Sequence, residues 1–108
     1  MLEAEAVRDL TPPEVAAGLE TGSILLIDVR EPQETAVERI PGSVLLPLSR
    51  FDPDDIPDPQ GRAVVFTCAA GIRSLRAAEA ALAVGYPYGA HLNGGLKSWK
   101  AAGFPTER

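Results

Sequence analysis

The sequence predicts an α/β fold in which a mainly parallel sheet carries helices on both faces. Two apolar runs, at residues 24–27 and 62–67, are rich in β-branched residues and too short for helices. Such runs are typical of strands that are buried on both faces. Segments with helical character alternate with strand segments along the chain. This alternation favours a parallel sheet, because parallel strands are joined by helical crossovers.

The first helix begins at Thr11-Pro12-Pro13-Glu14. Thr11 can cap the helix, and Glu14, three residues later, can reach back to form a capping box. Proline is tolerated in the first turn of a helix because its missing N–H has no helical partner there. Gly22 then ends the helix, since glycine adopts the left-handed conformation of many helix ends.

The remaining elements follow at short intervals and none of them repeats another. Gly85 and Gly103 end the last two helices. In order, we predict a short helix near 33–37, a short strand at 44–46, an ordered surface loop over 51–61, the second buried strand at 62–67, a helix over 73–84, a short strand at 90–92 and a final helix over 96–102.

Length and composition predict one domain over residues 1–108, with a core over about 7–105. Hydrophobic residues make up 45% and charged residues 23%, as in ordinary globular proteins. The net charge of −5 argues against a nucleic acid partner, and no apolar run approaches the roughly 20 residues that span a bilayer. One cysteine and one histidine exclude an internal disulfide and argue against a metal site, and no cofactor is predicted.

The first residues, Met1-Leu2-Glu3-Ala4-Glu5, are acidic where a secretory signal would carry positive charge before an apolar run. This predicts a cytoplasmic protein. A lone cysteine stays a thiol in that reducing compartment, which permits thiol chemistry.

The loop after the second buried strand carries the clearest chemical signal. Cys68 lies at the carboxyl end of that strand, where parallel α/β sheets bind ligands. The loop leads into a helix N-terminus, whose free N–H groups favour negative charge. Gly71 permits the curl that would point these groups at the sulfur, and Arg73 adds a cation. The pattern favours a thiolate nucleophile over the alternative, a small buried apolar cysteine.

Four motifs, in order along the chain, resemble those of the single-domain rhodaneses, which are sulfurtransferases. The resemblance covers about residues 7–105. Its motifs are Asp28-Val29-Arg30-Glu31-Pro32, Ile40-Pro41-Gly42-Ser43 followed by Pro47, the loop Cys68-Ala69-Ala70-Gly71-Ile72-Arg73-Ser74, and Leu92-Asn93-Gly94-Gly95 with Trp99, Gly103 and Pro105.

This resemblance implies a three-layer fold with five strands in its central sheet. It also implies a double displacement in which Cys68 takes a sulfane sulfur from thiosulfate or a persulfide and passes it to a thiol, to cyanide or to an acceptor protein. Cys68 is then the catalytic residue. The substrate-binding residues are the rest of the loop: Ala69, Ala70, Gly71, Ile72, Arg73 and Ser74.

Loop length and loop charge refine the expected chemistry. Residues 69–72 separate Cys68 from Arg73, and phosphatases related in fold have one residue more, so the loop favours sulfur over phosphate. No cation lies inside the loop, so we expect modest affinity for the thiosulfate dianion. Glu38 and Arg39 replace the Gly-His pair that usually precedes the Ile-Pro-Gly turn, which we expect to matter for the fold more than for catalysis.

Three further residues have two interpretations each: two lie near the expected site, and the only histidine lies elsewhere in the sequence. Asp28 and Arg30, at the end of the first buried strand, are supporting candidates, although a buried carboxylate more often braces the structure. His91, in the short strand at 90–92, is interpreted as a packed or surface histidine and not as a base.

A second function stays open beside the enzyme. The same domain can be a non-catalytic binding, sulfur-carrier or redox-sensing module that uses a persulfidated or oxidised Cys68 as its signal. In either case a persulfide on Cys68 must leave to an external acceptor, because no second cysteine can resolve it.

Overall fold

A computed structural model describes residues 7–108, in which five strands form one sheet. The acidic segment Met1–Glu5, used above to predict location, lies outside these residues. Every strand pair is parallel and the order is β1-β5-β4-β2-β3, which confirms the predicted α/β fold with a five-stranded sheet. The strands are β1 (Arg8–Leu10), β2 (Ile24–Asp28), β3 (Val44–Leu45), β4 (Ala63–Thr67) and β5 (Ala90–Leu92).

In the part of the chain that the structure describes, four α-helices follow the predicted order, with ends that differ from the prediction by one or two residues. Two short 3₁₀ turns, Leu48–Arg50 and Pro53–Asp55, lie between β3 and β4. The helices are α1 (Pro12–Thr21), α2 (Pro32–Thr35), α3 (Ile72–Ala83) and α4 (Gly95–Ala101). Within residues 7–108, none of the helices has the length and apolar character needed to cross a membrane.

The predicted start and end of α1 are confirmed. The Glu14 N–H donates to Thr11 Oγ1 over 3.3 Å, and the Thr11 N–H donates to Glu14 Oε1 over 2.9 Å. These two bonds form the capping box that satisfies free N–H groups of the first turn. Gly22 ends the helix in the left-handed region at φ 72°.

The sheet separates two apolar cores, as expected for three layers. On one face, α3 contributes three alanines that pack on β2 and β4, so the helix approaches the sheet closely. On the other face, α1 and α4 cover the sheet through Val15 and Trp99. The stretch predicted as an ordered loop is ordered, because Phe51 and Ile56 pack against the α3-side core.

The pattern of apolar residues did not predict the edge strand β1. Two of its three residues, Arg8 and Asp9, are charged, so it carries no apolar run or regular alternation. It forms because its backbone pairs with the buried strand β5, with Asp9 opposite His91. A charged edge strand is also a common protection against pairing with other chains.

Candidate active site

Cys68 follows β4 directly, at the carboxyl edge of the sheet. Its side chain is buried, with 1% of the residue exposed. The chain then turns through Ala69 and Ala70 to Gly71, which caps α3 at φ 100°. A Cβ atom at position 71 would meet the backbone nitrogen of Gly94 at 3.0 Å, so both the conformation and the space at this position require glycine.

Backbone and side-chain groups converge on the sulfur of Cys68. The Gly71 N–H donates to Sγ over 3.0 Å, and the Ser74 N–H donates over 3.3 Å. The Ser74 hydroxyl oxygen lies 3.5 Å from the same sulfur. Two of these donors belong to the N-terminal turn of α3 and its cap, where the helix dipole also favours a negative charge.

These contacts decide the acidity of the thiol. Burial raises the pKa of Cys68, but hydrogen bonds from the Ser74 side chain and from the N–H groups of Ser74, Gly71 and Ala70 lower it by more. The net effect is a pKa below the ordinary value of cysteine. The sulfur is therefore held in surroundings that favour the thiolate.

The rest of the loop offers little charge to a ligand. Ala70 is exposed and Ala69 is half-buried. Ile72, with 67% of its surface exposed, projects an apolar side chain into solvent beside the start of α3. Of the residues predicted to bind substrate, only Arg73 carries a charge.

Arg73 is held by Glu34, a residue that the sequence prediction did not identify. The two guanidinium nitrogens donate to the two carboxylate oxygens over 2.7 and 2.9 Å. The hydrogen bond from Arg73 lowers the pKa of Glu34 to about 2, although partial burial opposes the shift. Glu34 also accepts from the Glu31 N–H over 2.8 Å at the start of α2, a capping pattern that could have drawn attention to it.

The start of α4 supports the loop from behind. The N–H groups of Leu96 and Lys97 donate to the carbonyls of Cys68 and Ala69 over 2.8 and 3.0 Å. A Cβ atom on Gly95 would lie 2.3 Å from the Cys68 carbonyl oxygen, so only glycine allows this contact. A cleft of about 320 Å³ opens beside the loop, lined by Ala69, Leu96, Lys97 and Lys100.

Asp28 and Arg30 form a buried pair of their own, with 2% and 4% of each residue exposed. The guanidinium donates to both carboxylate oxygens, most closely over 2.8 Å, and a further N–H reaches the Glu38 carbonyl over 2.8 Å. The Arg30 backbone N–H also donates to Asp28. The pair therefore braces the end of β2 against the segment before the Ile40 turn.

His91 is buried and hydrogen-bonded to the site through Ser74. Its Nδ1 lies 2.8 Å from Ser74 Oγ, and its Nε2 lies 2.8 Å from Asp9 Oδ1. The interpretation of His91 as a packed histidine is right about its burial but missed these partners. Strand order brings the three residues together, and no local motif could have found them.

A family model described as the rhodanese-like domain matches residues 11–102. This chain belongs to the rhodanese-like family. The predicted resemblance is therefore confirmed over most of the described residues.

Relatives of this rhodanese-like chain include named sulfurtransferases. A sulfurtransferase of Allochromatium vinosum is 34% identical over 80% of both chains. An uncharacterized protein of Synechocystis is 40% identical over 78% of this chain and 47% of its own length. The human single-domain sulfurtransferase has a similar structure, with a TM-score of 0.72, 29% identity and coverage of 86% of this chain and 95% of the human one. The chain spans half or less of the length of several curated relatives.

The two residues that replace the usual Gly-His pair of rhodaneses bind the C-terminal segment. Glu38 accepts from Lys100 Nζ over 2.9 Å and from the Thr106 hydroxyl over 2.7 Å. Arg39 exchanges two backbone hydrogen bonds with Glu107, each 2.8 Å long, and adds an ion pair with its side chain. These contacts are structural, which agrees with the expectation for this substitution.

Proposed function

We propose that this chain is a sulfurtransferase that moves a sulfane sulfur through a persulfide on Cys68. The convergence of the Gly71 and Ser74 N–H groups on one buried sulfur carries this proposal. Donors aimed at a sulfur atom favour its anionic form, which is the form that attacks a sulfane donor.

In the first half-reaction, the Cys68 thiolate attacks the outer sulfur of the donor. A new sulfur–sulfur bond forms, the old one breaks, and its electron pair leaves with the rest of the donor as sulfite or a thiolate. In the second half-reaction, an acceptor thiolate or cyanide attacks the outer persulfide sulfur. The bond to Sγ breaks and the Cys68 thiolate returns to the same N–H groups, so one set of donors serves both steps.

The loop favours a persulfide donor over thiosulfate. Thiosulfate is a dianion, yet residues 69–72 carry no charge and Arg73 already shares its guanidinium with Glu34. A persulfide anion carries one negative charge where thiosulfate carries two, so it needs less cationic help. The shorter loop also favours sulfur over the larger tetrahedral phosphate group.

The acceptor is a thiol, cyanide or a protein partner. The exposed Ile72 beside the site supports a partner with apolar character, since exposed apolar groups are frequent in protein interfaces. The proposal includes the expectations of a cytoplasmic location and of one domain over residues 1–108.

The near-complete burial of Cys68, 1% exposed, supports the second candidate, a carrier or sensing module that holds its sulfur. The sulfurtransferase and the sulfur carrier both require a persulfide on Cys68 and differ in whether small acceptors remove it, whereas a redox-sensing module requires only an oxidised Cys68.

Mass spectrometry of the intact protein tests both candidates. The protein is incubated with thiosulfate or with a low-molecular-weight persulfide, and cyanide or a thiol is then added. We expect the mass of one sulfur atom to appear on the wild type, to be absent from Cys68→Ser, and to disappear with each acceptor. A sulfur that stays bound would favour the carrier. No gain with either donor would contradict the sulfurtransferase and would favour a non-catalytic binding or redox-sensing module.

A further inference from the structure

A continuous hydrogen-bonded chain leads from the reactive sulfur to the edge of the sheet. It runs from Cys68 Sγ to Ser74 Oγ over 3.5 Å, then to His91 Nδ1 over 2.8 Å, and from His91 Nε2 to Asp9 over 2.8 Å. The His91 side chain is 5% exposed, whereas that of Asp9 is 62% exposed. The buried ring thus connects the sulfur to a carboxylate in contact with water.

Strand alternation places His91 on the side of the reactive loop. Its neighbours Ala90 and Leu92 belong to the core under α1 and α4, so His91 points to the opposite face, which α3 covers. Asp9, its register partner in β1, shares that face. Cys68 is the other titratable member of the chain of contacts.

The other ionisable side chains of the packed elements do not reach the ring within residues 7–108. Arg73 is paired with Glu34, and Tyr86 donates its hydroxyl to Asp54. The rest are two exposed groups on α3, one tyrosine that precedes β5 and one exposed group on β1: Arg76, Glu79, Tyr88 and Arg8.

The Ser74 hydroxyl has one proton and three acceptors within reach. They are the Gly71 carbonyl at 3.2 Å, His91 Nδ1 at 2.8 Å and Cys68 Sγ at 3.5 Å. When the ring is neutral, Asp9 favours the proton on Nε2, so Nδ1 accepts the serine proton. When the ring is an imidazolium, Nδ1–H donates to Oγ, and the serine proton is released toward the charged sulfur.

From this geometry we infer that His91 is a positioning residue that acts through Ser74, so that its imidazolium form directs the serine proton onto the Cys68 thiolate. The inference rests on the proposed function in taking Cys68 as the nucleophile. The proton transfer balances within the protein. The thiol proton passes to Ser74 Oγ as the serine proton passes to Nδ1, which converts a thiol and a neutral ring into a thiolate and an imidazolium.

The same arrangement serves the second half-reaction. When the acceptor attacks the outer persulfide sulfur, the electron pair of the broken bond returns to Sγ. A serine proton directed at Sγ stabilises that charge as it develops.

The proposed path of the proton from Cys68 through Ser74 to His91 is called the relay below. Alkylation of Cys68 by iodoacetamide as a function of pH tests it without any sulfur donor. Cys68 is the only cysteine in the sequence, so the modified mass is unambiguous. We expect the wild-type rate to rise in two steps, because in the proposed relay the reactivity of the thiol differs between the neutral ring and the imidazolium. In His91→Leu we expect one step at higher pH and a rate about tenfold lower near about pH 6.

Companion variants separate the relay from a merely structural histidine. Ser74→Ala should give the same one-step profile, Ser74→Thr should keep two steps, and the double variant with His91→Leu should match Ser74→Ala alone. Asp9→Ala, on the exposed edge strand, should lower the rate of Cys68 alkylation in the acidic part of the pH profile by about threefold. Glu79→Ala, which removes the same charge from an exposed position, should change nothing.

The relay would be overturned if His91→Leu and Asp9→Ala kept the two-step alkylation profile of the wild type. It would also be overturned if the effects of Ser74→Ala and His91→Leu on the alkylation rate added in the double variant. If His91→Leu does not fold, the relay is tested by comparing the alkylation rates of Asp9→Ala and Glu79→Ala, of which only the first should fall. The protein has one histidine, so its ¹⁵N spectrum reads the ring directly. We expect the neutral ring to carry its proton on Nε2, and a proton on Nδ1 would contradict the relay. Loss of sulfur transfer with an intact relay would instead count only against the proposed function.

Discussion

Two buried polar groups lie at the carboxyl ends of neighbouring strands: the Asp28–Arg30 pair after β2 and the Cys68 loop after β4. The strands are paired, with Asp28 opposite Thr67 in register. In the first group, a carboxylate and a guanidinium satisfy each other through several hydrogen bonds. In the second, N–H donors converge on a sulfur whose next four residues, 69–72, carry no charge.

This difference separates a brace from the proposed reactive site. The Asp28–Arg30 pair is neutral as a whole, and its guanidinium donates to the Asp28 carboxylate and to the Glu38 carbonyl, so we interpret the pair as a brace that fixes the backbone. In the Cys68 loop, hydrogen bonds from N–H groups and from the Ser74 side chain favour a negative charge on the sulfur, and the Arg73 cation lies close enough to interact with it. The same groups can hold a persulfide. Both groups are buried, so burial does not distinguish them. They differ in that the hydrogen-bond donors of Arg30 have the Asp28 carboxylate as a fixed partner of opposite charge, whereas the N–H donors around Cys68 have only the sulfur.

Removing the sulfur should produce the largest effect. In Cys68→Ser, the hydroxyl can accept the Gly71 and Ser74 N–H groups, so the fold should stay within about 1 kcal/mol of the wild type. Sulfur transfer should fall by at least about 10³-fold, because a serine cannot form the persulfide. Cyanide-dependent thiocyanate formation and urea unfolding measure the two quantities. Activity retained in Cys68→Ser would show that the sulfur is not the nucleophile.

Breaking the brace should give the opposite result. Asp28→Ala leaves the Arg30 guanidinium buried without its partner, which should lower the free energy of unfolding by about 3–5 kcal/mol. The transfer rate per folded molecule should stay close to wild type, since neither residue hydrogen-bonds to the sulfur in the described part of the chain. Urea unfolding and thiocyanate formation measure the two quantities.

The double variant Asp28→Ala/Arg30→Met is the matched control for the brace. It removes both charges and should recover part of the lost stability, because the unpaired buried charge causes most of the loss. A single variant as stable as the wild type would contradict the role of the pair.

The sequence predicts the position of the Cys68 loop better than it predicts the side-chain contacts between distant elements. Cys68 follows an apolar run and precedes a helix, and both features are local, so the position of the loop and the capping of α1 could be read directly. Glu34 and Arg73 are 39 positions apart, and His91 and Asp9 are 82 apart. Their contacts depend on the strand order, in which β1 pairs with β5, and no periodicity in the sequence encodes that order.

Removing the one charge of the loop should have a moderate effect on the donor. Arg73→Ala should raise the KM for thiosulfate by about tenfold, the loss of one charge-assisted hydrogen bond, with a smaller change in kcat. The KM for a persulfide donor should change less, because that donor carries one negative charge and not two. Steady-state kinetics with both donors checks this, and equal changes in both KM values would count against a role for Arg73 in donor binding.

The smallest effect on stability is expected for the ion pair between Arg73 and Glu34, which joins the two regions. Glu34 lies on α2, which follows β2, and Arg73 lies on α3, which follows β4. The hydrogen bond from Arg73 lowers the pKa of Glu34 from 4.5 to about 2 in the folded protein. A carboxyl with a lowered folded pKa stabilises the fold above its unfolded pKa, and this stabilisation is lost as the pH falls from 4.5 toward about 2. In Glu34→Gln that loss is absent, so wild type and variant should differ near neutral pH and converge in acid.

The side chains of Arg73 and Glu34 are 33% and 32% exposed, so solvent screens the pair. We expect a difference in unfolding free energy of about 1 kcal/mol at low ionic strength, and less in salt. Urea unfolding of both proteins across this pH range measures it. A difference that stays constant with pH would mean that the ion pair does not contribute to stability. The contact would then serve only to hold Arg73 beside the loop, and its effect would belong to donor binding.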